Sequence, residues 1–248
     1  MLSLHRLARV KLIERSKGLK SSDHSHNNKI RSFVIRSGRI TSAQNRALDR
    51  LLPKYANLSE IHECIGDIKY TGTQVNLEIG LGDGKNLLHL AKENPSDMFL
   101  GCDVHLPGIG STLNNCELQS IKNVRFLVGD INEVLTSFGR IFQNVYIFFP
   151  DPWPKKRHHK RRLITKDFLY YISEKIKFNG KIFIATDCED YAVSILDLIE
   201  ISEGIKNCSG TQKFAKRPTW RILTKFEKKA LRANSKVYEI CCTYKSPN

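Results

Sequence analysis

A chain of 248 residues, 41% hydrophobic and 26% charged, has globular composition and the length of one α/β domain with a modest extension. No apolar run approaches the ~18 residues of a membrane span, Arg6, Arg9, Lys11 and Arg15 break up any leader-like N-terminus, and seven scattered cysteines without a C-x-x-C pair argue for a reducing cytoplasm and against a metal site. The formal charge of +15 asks for a polyanionic partner: residues 1–50 carry 12 Lys/Arg against 3 Asp/Glu, and residues 155–162 (KKRHHKRR) carry six cations and no acid.

Residues 1–30 read as a basic, mobile arm ahead of a single domain over 31–248, because the stretch SSDHSHNNK is polar and lacks any apolar period. A helix is expected to start with Ser42 as N-cap, to bury Ala47, Leu48, Leu51 and Leu52, and to end at Pro53. Strand patterns follow at 75–80, 98–104, 123–130, 144–150 and 181–187, alternating with helical patterns at 84–94, 107–120, 131–138, 164–177 and 189–201. This alternation predicts a doubly wound α/β domain, a mostly parallel Rossmann-like sheet with helices on both faces. The tail SKVYEICCTY reads as a final strand that pairs antiparallel at an edge. Monomer and homodimer are equally compatible with the sequence.

Ligands of open α/β sheets bind beyond the carboxyl ends of the strands, and here those ends are acidic or glycine-rich. The first strand runs into Glu78-Ile79-Gly80-Leu81-Gly82-Asp83-Gly84, and glycines at alternate positions let the backbone approach a ligand closely. The spacing is G-x-G-x-G rather than the dinucleotide G-x-G-x-x-G, with an acid two residues ahead of it. That disfavours a diphosphate and suits S-adenosylmethionine, which is cationic and phosphate-free; a plain strand-to-helix turn is the alternative. Asp103 is placed to accept from both ribose hydroxyls, or to cap a helix before Pro107. Asp130, after Gly129, can receive an adenine amino group or cap the helix starting at Ile131. The fourth strand enters Phe149-Pro150-Asp151-Pro152-Trp153-Pro154, whose prolines fix the backbone before a ligand arrives. Trp153 offers a flat ring to a nucleobase and the following cations offer contacts to phosphates; packing under a loop and a solvated face are the alternatives.

The assembled pattern resembles the bacterial tRNA (guanine-N7)-methyltransferase family from about Arg31 to Ile240. The likeness rests on Arg31-Ser32-Phe33, Gly38-Arg39, Glu78-Ile79-Gly80, the run PDPWPKKRHHKRRL over 150–163, Thr186-Asp187 and Thr224-Lys225-Phe226-Glu227. It implies a class I S-adenosylmethionine-dependent methyltransferase fold and a cytoplasmic enzyme that methylates N7 of a guanine in the variable loop of tRNA. It further implies that Glu78, Asp103, Asp130 and Asp151, with the loop of Gly80, Gly82 and Gly84, hold the cofactor. Lys155, Asp187, Thr224, Lys225, Phe226 and Glu227 would meet the target guanosine. Guanine N7 has a lone pair and no proton, so no general base is needed, and Asp151 is the candidate to favour the positive charge that passes to the guanine.

The chain departs from the family in several places. Leu81 stands where Phe is usual, Asp103 where Glu is usual and Lys225 where Arg is frequent, and Lys228-Lys229-Ala230-Leu231 replaces an Arg-Gly stretch after Glu227. Two other functions compete: methylation of an exocyclic base nitrogen or a protein amide, and a catalytically silent RNA-binding module. A Pro-Pro-Tyr type of loop would favour the first, but the chain has Asp151-Pro152-Trp153; intact glycines and acids at successive strand ends speak against the second.

Overall fold

The computed structural model describes residues 32–33, 39–68 and 72–245, so the expected N-terminal arm lies outside the described residues. Among the described residues seven strands form one sheet: β1 (Val75–Ile79), β2 (Met98–Asp103), β3 (Val124–Val128), β4 (Phe142–Phe148), β5 (Ile176–Thr186), β6 (Ile205–Asn207) and β7 (Tyr238–Tyr244). Their order is β3-β2-β1-β4-β5-β7-β6, with β1 to β5 parallel and β7 antiparallel to both its neighbours. The chain reverses its direction of travel across the sheet between β1 and β4, and the crevice at that switch point is where such sheets take ligands.

All five residues of β1 are buried, although Asn76 and Glu78 are polar, because a parallel strand covered on both faces has no wet side. Asn76 is answered locally: it accepts from Asn144 Nδ2 at 2.9 Å and donates to Asp97 at 3.4 Å. Glu78, at the other end of the strand, is not.

Nine helices are seen among the described residues: α1 (Ser42–Arg50), α2 (Leu52–Tyr55), α3 (Leu58–Ile68), α4 (Lys85–Glu93), α5 (Leu106–Leu118), α6 (Ile131–Val134), α7 (Lys166–Ser173), α8 (Glu189–Glu200) and α9 (Lys225–Arg232). On one side of the sheet Leu77, Leu100, Val145 and Ile182 share a core with Ile61 of α3, Phe168 of α7 and Ile195 of α8. On the other, Phe99, Phe126 and Tyr146 pack with Leu48 of α1, Leu87 of α4 and Ile109 of α5. Each such side chain, fully buried, contributes roughly 1.5–3 kcal/mol.

The departures from expectation are local. Thr41 rather than Ser42 caps α1, its hydroxyl accepting from Gln44 N at 3.2 Å while its own N–H donates to Gln44 Oε1 at 2.9 Å, a reciprocal capping box. Pro53 opens α2 instead of closing α1, since a first-turn residue has no intrahelical N–H bond to lose. The tail strand β7 joins antiparallel as expected, but the three-residue β6 lies outside it and forms the edge. β5 starts at Ile176 rather than Lys181 because its ladder is interrupted: Phe142 pairs with Ile176, and Asn144 already pairs with Lys181. The inserted residues turn through Asn179 at φ 61° and Gly180, where a Cβ would lie 2.8 Å from the Gln143 carbonyl oxygen.

A buried ionic cluster fastens the C-terminal segment to the sheet. Arg221, with 0% of its side chain exposed, donates to the two Glu227 oxygens at 2.7 and 2.9 Å and to Glu239 of β7; Arg217 adds a bond to Glu227 at 2.8 Å. Burial pushes Glu227 upward, but the bonds from Arg217 and Arg221 outweigh it and hold the carboxyl below its ordinary value. Glu239 is raised by burial, which Arg221 only partly offsets. Replacing Arg221 by Ala leaves Glu239 buried without its cation and should destabilise the fold by about 3–5 kcal/mol, the cost of breaking a buried pair from one side. Urea unfolding at neutral pH measures it, and a loss no larger than that of an exposed ion pair would mean that water replaces the guanidinium.

Candidate active site

The carboxyl ends of β1 to β4 open into a cavity of about 590 Å³. Its floor is the turn after β1. Gly80, Gly82 and Gly84 take φ values of 77°, 58° and 72°, a left-handed region that side chains rarely adopt, so the alternate glycines are a backbone requirement. At Gly84, the N-cap of α4, a Cβ would also collide with the Thr112 hydroxyl of α5 at 2.1 Å. The loop is thereby packed tightly against α5.

Three of the four predicted acids ring this floor, and each is held differently. Asp103, at the end of β2, accepts from Gly82 N at 3.2 Å and His105 N at 2.8 Å, tying the glycine loop to the next strand. It does not cap α5; that role falls to His105, whose Nδ1 accepts from Gly108 N. Burial raises the Asp103 carboxyl, against the lowering bonds from His105 and Gly82. Asp130 does cap α6, with Oδ1 accepting from Asn132 N at 3.0 Å and Asn132 Nδ2 at 3.1 Å, and it lines the cavity as well.

Glu78 is the least satisfied. It is 3% exposed, its Oε2 has no hydrogen-bond partner, and the side-chain O and N of Asn86, equally buried in the first turn of α4, have none either. Burial pushes the Glu78 carboxyl up to about 8; the nearby Asn86 amide lowers it somewhat, and Asp103 and Asp83 raise it further. Asn86 is a site residue that the sequence pattern did not single out, because an Asn two positions past the last glycine looks like ordinary helix surface.

The fourth wall is the loop after β4. Phe149 at φ 53° and Trp153 at φ 45° bend it sharply between prolines, and Asp151 is half-buried at the cavity wall with no side-chain hydrogen bond among the described residues. Trp153 is engaged internally: its Nε1 donates to Ser32 O at 3.3 Å, His158 meets its ring edge-on, and the Arg161 guanidinium lies 4.9 Å from the ring centre. Its packing role is the one observed. Desolvation, together with Arg157 and Arg161, lowers His158.

The basic run divides. Lys155, Lys156, Arg157, Lys160 and Arg161 are exposed around a short 3₁₀ turn over Lys156–Arg161, so Lys155 does not line the cavity. Arg162, expected with them as a phosphate contact, is only 6% exposed. It donates to the Pro152 carbonyl at 2.9 Å, to Asp190 and to Ser194, and it stacks 4.7 Å from the Tyr191 ring centre, clamping the proline loop onto α8. The apolar Leu163-Ile164 that follows it is the signal that could have marked it as buried.

Of the remaining expected residues, Thr224, Lys225 and Phe226 reach the cavity mouth, with Phe226 stacked on Phe149 at 6.4 Å between ring centres. Glu227 departs from its expected contact with a target base: both its oxygens are taken by Arg217 and Arg221 behind the mouth. Asp187 is exposed past the end of β5 and does not line the cavity.

Residues 72–240 match a family model described as "Putative methyltransferase". The chain is 41% identical over 204 residues to the tRNA (guanine-N(7)-)-methyltransferase of Marinobacter nauticus, covering 81% of this chain and 85% of that protein. It is 37% identical over 232 residues to the protein of the same name from Nitrosospira multiformis, covering 88% and 96%. Among solved structures the fold is similar to a 30S ribosomal A1408 methyltransferase from an uncultured bacterium, with a TM-score of 0.55 at 15% identity over 77% of this chain and 95% of that one.

The buried acid gives the ligand-free protein a pH signature. A folded pKa near 8 against an ordinary 4.5 means that the fold keeps a proton the unfolded chain has already lost. The stability contributed by Glu78 is therefore full below about pH 4.5 and drains away as pH rises towards about 8. Glu78→Gln should remove this slope, so that the variant gains on the wild type in thermal unfolding as pH increases across that window. Parallel curves would place the proton elsewhere.

Proposed function

The chain belongs to the tRNA (guanine-N7-)-methyltransferase family, and from that premise we propose that it transfers a methyl group from S-adenosylmethionine to N7 of a guanine in the variable loop of tRNA. The observation that carries this reading is the junction of two unlike surfaces: an acidic, phosphate-averse cavity at the ends of β1 to β4, and the exposed cations of 155–161 directly after its Asp151 loop.

The residues fit the cofactor. The unanswered polar atoms of Glu78 and Asn86 suit a ligand with donors and positive charge, and the left-handed Gly80 and Gly82 leave open backbone beside them. Glu78, Asn86, Asp103, Asp130 and the glycine loop would hold it. When bound, S-adenosylmethionine supplies a methyl group made electrophilic by its sulfonium. The protein then has to hold and orient, and positioning of this kind can supply as much as ~7–11 kcal/mol. No side chain has to remove a proton, since guanine N7 presents a free lone pair.

Asp151 faces the cavity from a backbone that its flanking prolines have already fixed, so its charge is preorganised to favour the cationic guanine. Thr224, Lys225 and Phe226 border the mouth through which a base enters, and Lys155 and Asp187 lie further out, where they meet the rest of the nucleotide. Lys156, Arg157 and Arg161 contact phosphates, and the sequence before residue 31 adds further cations ahead of a single methyltransferase domain. The free cysteines and the RNA substrate support a place in the cytoplasm.

Incubating unmodified tRNA with the protein and labelled cofactor should yield 7-methylguanosine on nucleoside mass spectrometry; another methylated nucleoside would overturn the assignment. Within the site, Asp151→Asn keeps the size of the side chain and removes its charge. Single-turnover methylation at saturating RNA and cofactor should slow by more than roughly tenfold while RNA affinity holds. A near-normal rate would reduce Asp151 to a loop residue.

A further inference from the structure

The mechanism uses none of the seven cysteines, yet two of them face each other across the outer edge of the sheet. The β6–β7 register pairs Ile205 with Tyr244, Lys206 with Thr243 and Asn207 with Cys242. The next step brings Cys208 opposite Cys241, and the Cys208 N–H donates to the Cys241 carbonyl at 2.8 Å. Directly opposed residues in such a hydrogen-bonded pair have Cα atoms ~5.5 Å apart, inside the window a disulfide accepts. Their side chains leave the sheet on one face. Cys242, on the opposite face, points into the core with its thiol towards the Ile182 carbonyl, so it does not compete.

We propose that Cys208 and Cys241 form a thiol-disulfide exchange site, which reacts with low-molecular-weight disulfides and closes to an intramolecular cross-link. Cys208 is exposed and reacts first. Its thiolate attacks one sulfur of the small disulfide, forming a mixed disulfide and expelling one small thiolate. Cys241 then attacks the Cys208 sulfur and expels the second. Two protein thiols are oxidised to one S–S bond, one small disulfide is reduced to two thiols, and the protons lost by the cysteines end on those thiols. Burial and the adjoining Cys208 thiol push Cys241 up to about 12, so it is the slow, resolving partner and the exposed cysteine is the entry point.

The position gives the cross-link a consequence. Between the two cysteines the chain makes the excursion that holds Arg217, Arg221 and α9 and brings Thr224, Lys225 and Phe226 to the cavity mouth. Closing its base ties off a loop of about 34 residues, a length for which a cross-link markedly restricts the unfolded chain.

The test uses the full-length reduced protein and glutathione disulfide. Intact mass should fall by two hydrogens, peptide mapping should join Cys208 to Cys241, and the thermal midpoint should rise by on the order of 5 °C or more. Cys208→Ser and Cys241→Ser should each abolish the cross-link and the shift, and Cys188→Ser should change neither. A glutathione adduct that persists on Cys208 without resolving, a cross-link to another cysteine, or no reaction at all would each overturn the proposal.

Discussion

A carboxylic acid sealed at the carboxyl end of the central strand, with no cation paired to it among the described residues, sets the terms for the rest of this molecule. Holding an ionised carboxylate there without a partner would cost several kcal/mol, so Glu78 stays protonated in the ligand-free fold. Asn76, two residues earlier on the same face and just as buried, shows that this strand can satisfy a polar side chain when folding alone requires it. The difference is position. Asn76 lies at the amino end, where Asn144 and Asp97 answer it, and Glu78 lies at the end where the sheet opens into the cavity. Folding alone leaves its deficit unanswered, as it does that of Asn86 beside it, and this is what supports the proposed cofactor contact.

Besides the Phe149–Phe226 stack, two buried arginines hold the lips of that cavity. Arg162 draws the proline loop onto α8 through the Pro152 carbonyl, and Arg221 draws α9 onto β7 through Glu227. Each guanidinium also lies over an aromatic ring, Tyr191 at 4.7 Å and Phe148 at 5.3 Å. A planar fork with several donors can bridge partners in different elements at once, which the point charge of a lysine cannot do. The family-like sequence TKFE is informative in this respect. Its threonine, lysine and phenylalanine face the mouth, while its glutamate works from behind as the anchor for the other three.

Much of this was legible in the residues. Strand and helix periods gave the parallel sheet, and the switch point then pointed to the strand ends where Glu78, Asp103, Asp130 and Asp151 indeed gather. Illegible features were those whose meaning depends on distant partners. Arg162 sits in a run of solvated cations and differs from them only because Asp190, Ser194 and Tyr191 of α8 surround it. Arg221 and Glu239 are 18 residues apart, and only the antiparallel return of β7 joins them. β6 is too short to show alternation, and the first residues of β5, Ile176 and Lys177, hide within what reads as the end of a helix.

The distribution of charge bears on what the cavity admits. The protein carries +15, but the groups lining the cavity include Asp83, Asp103, Asp130 and Asp151, beside the protonated Glu78, against the single cation Lys225 among the described residues at its mouth. The field of the exposed cations on the rim reaches about a Debye length, ~8 Å at physiological salt, and gathers an RNA backbone there. Moving inward, a phosphate meets the reversed sign in a region of lower dielectric, where like-charge repulsion is stronger than in water. A neutral base meets no such barrier. The backbone is thus kept on the rim while a base enters, and a guanine becoming cationic on methylation finds acids arranged around it. That arrangement accounts for a strongly basic protein placing so many acids at its centre.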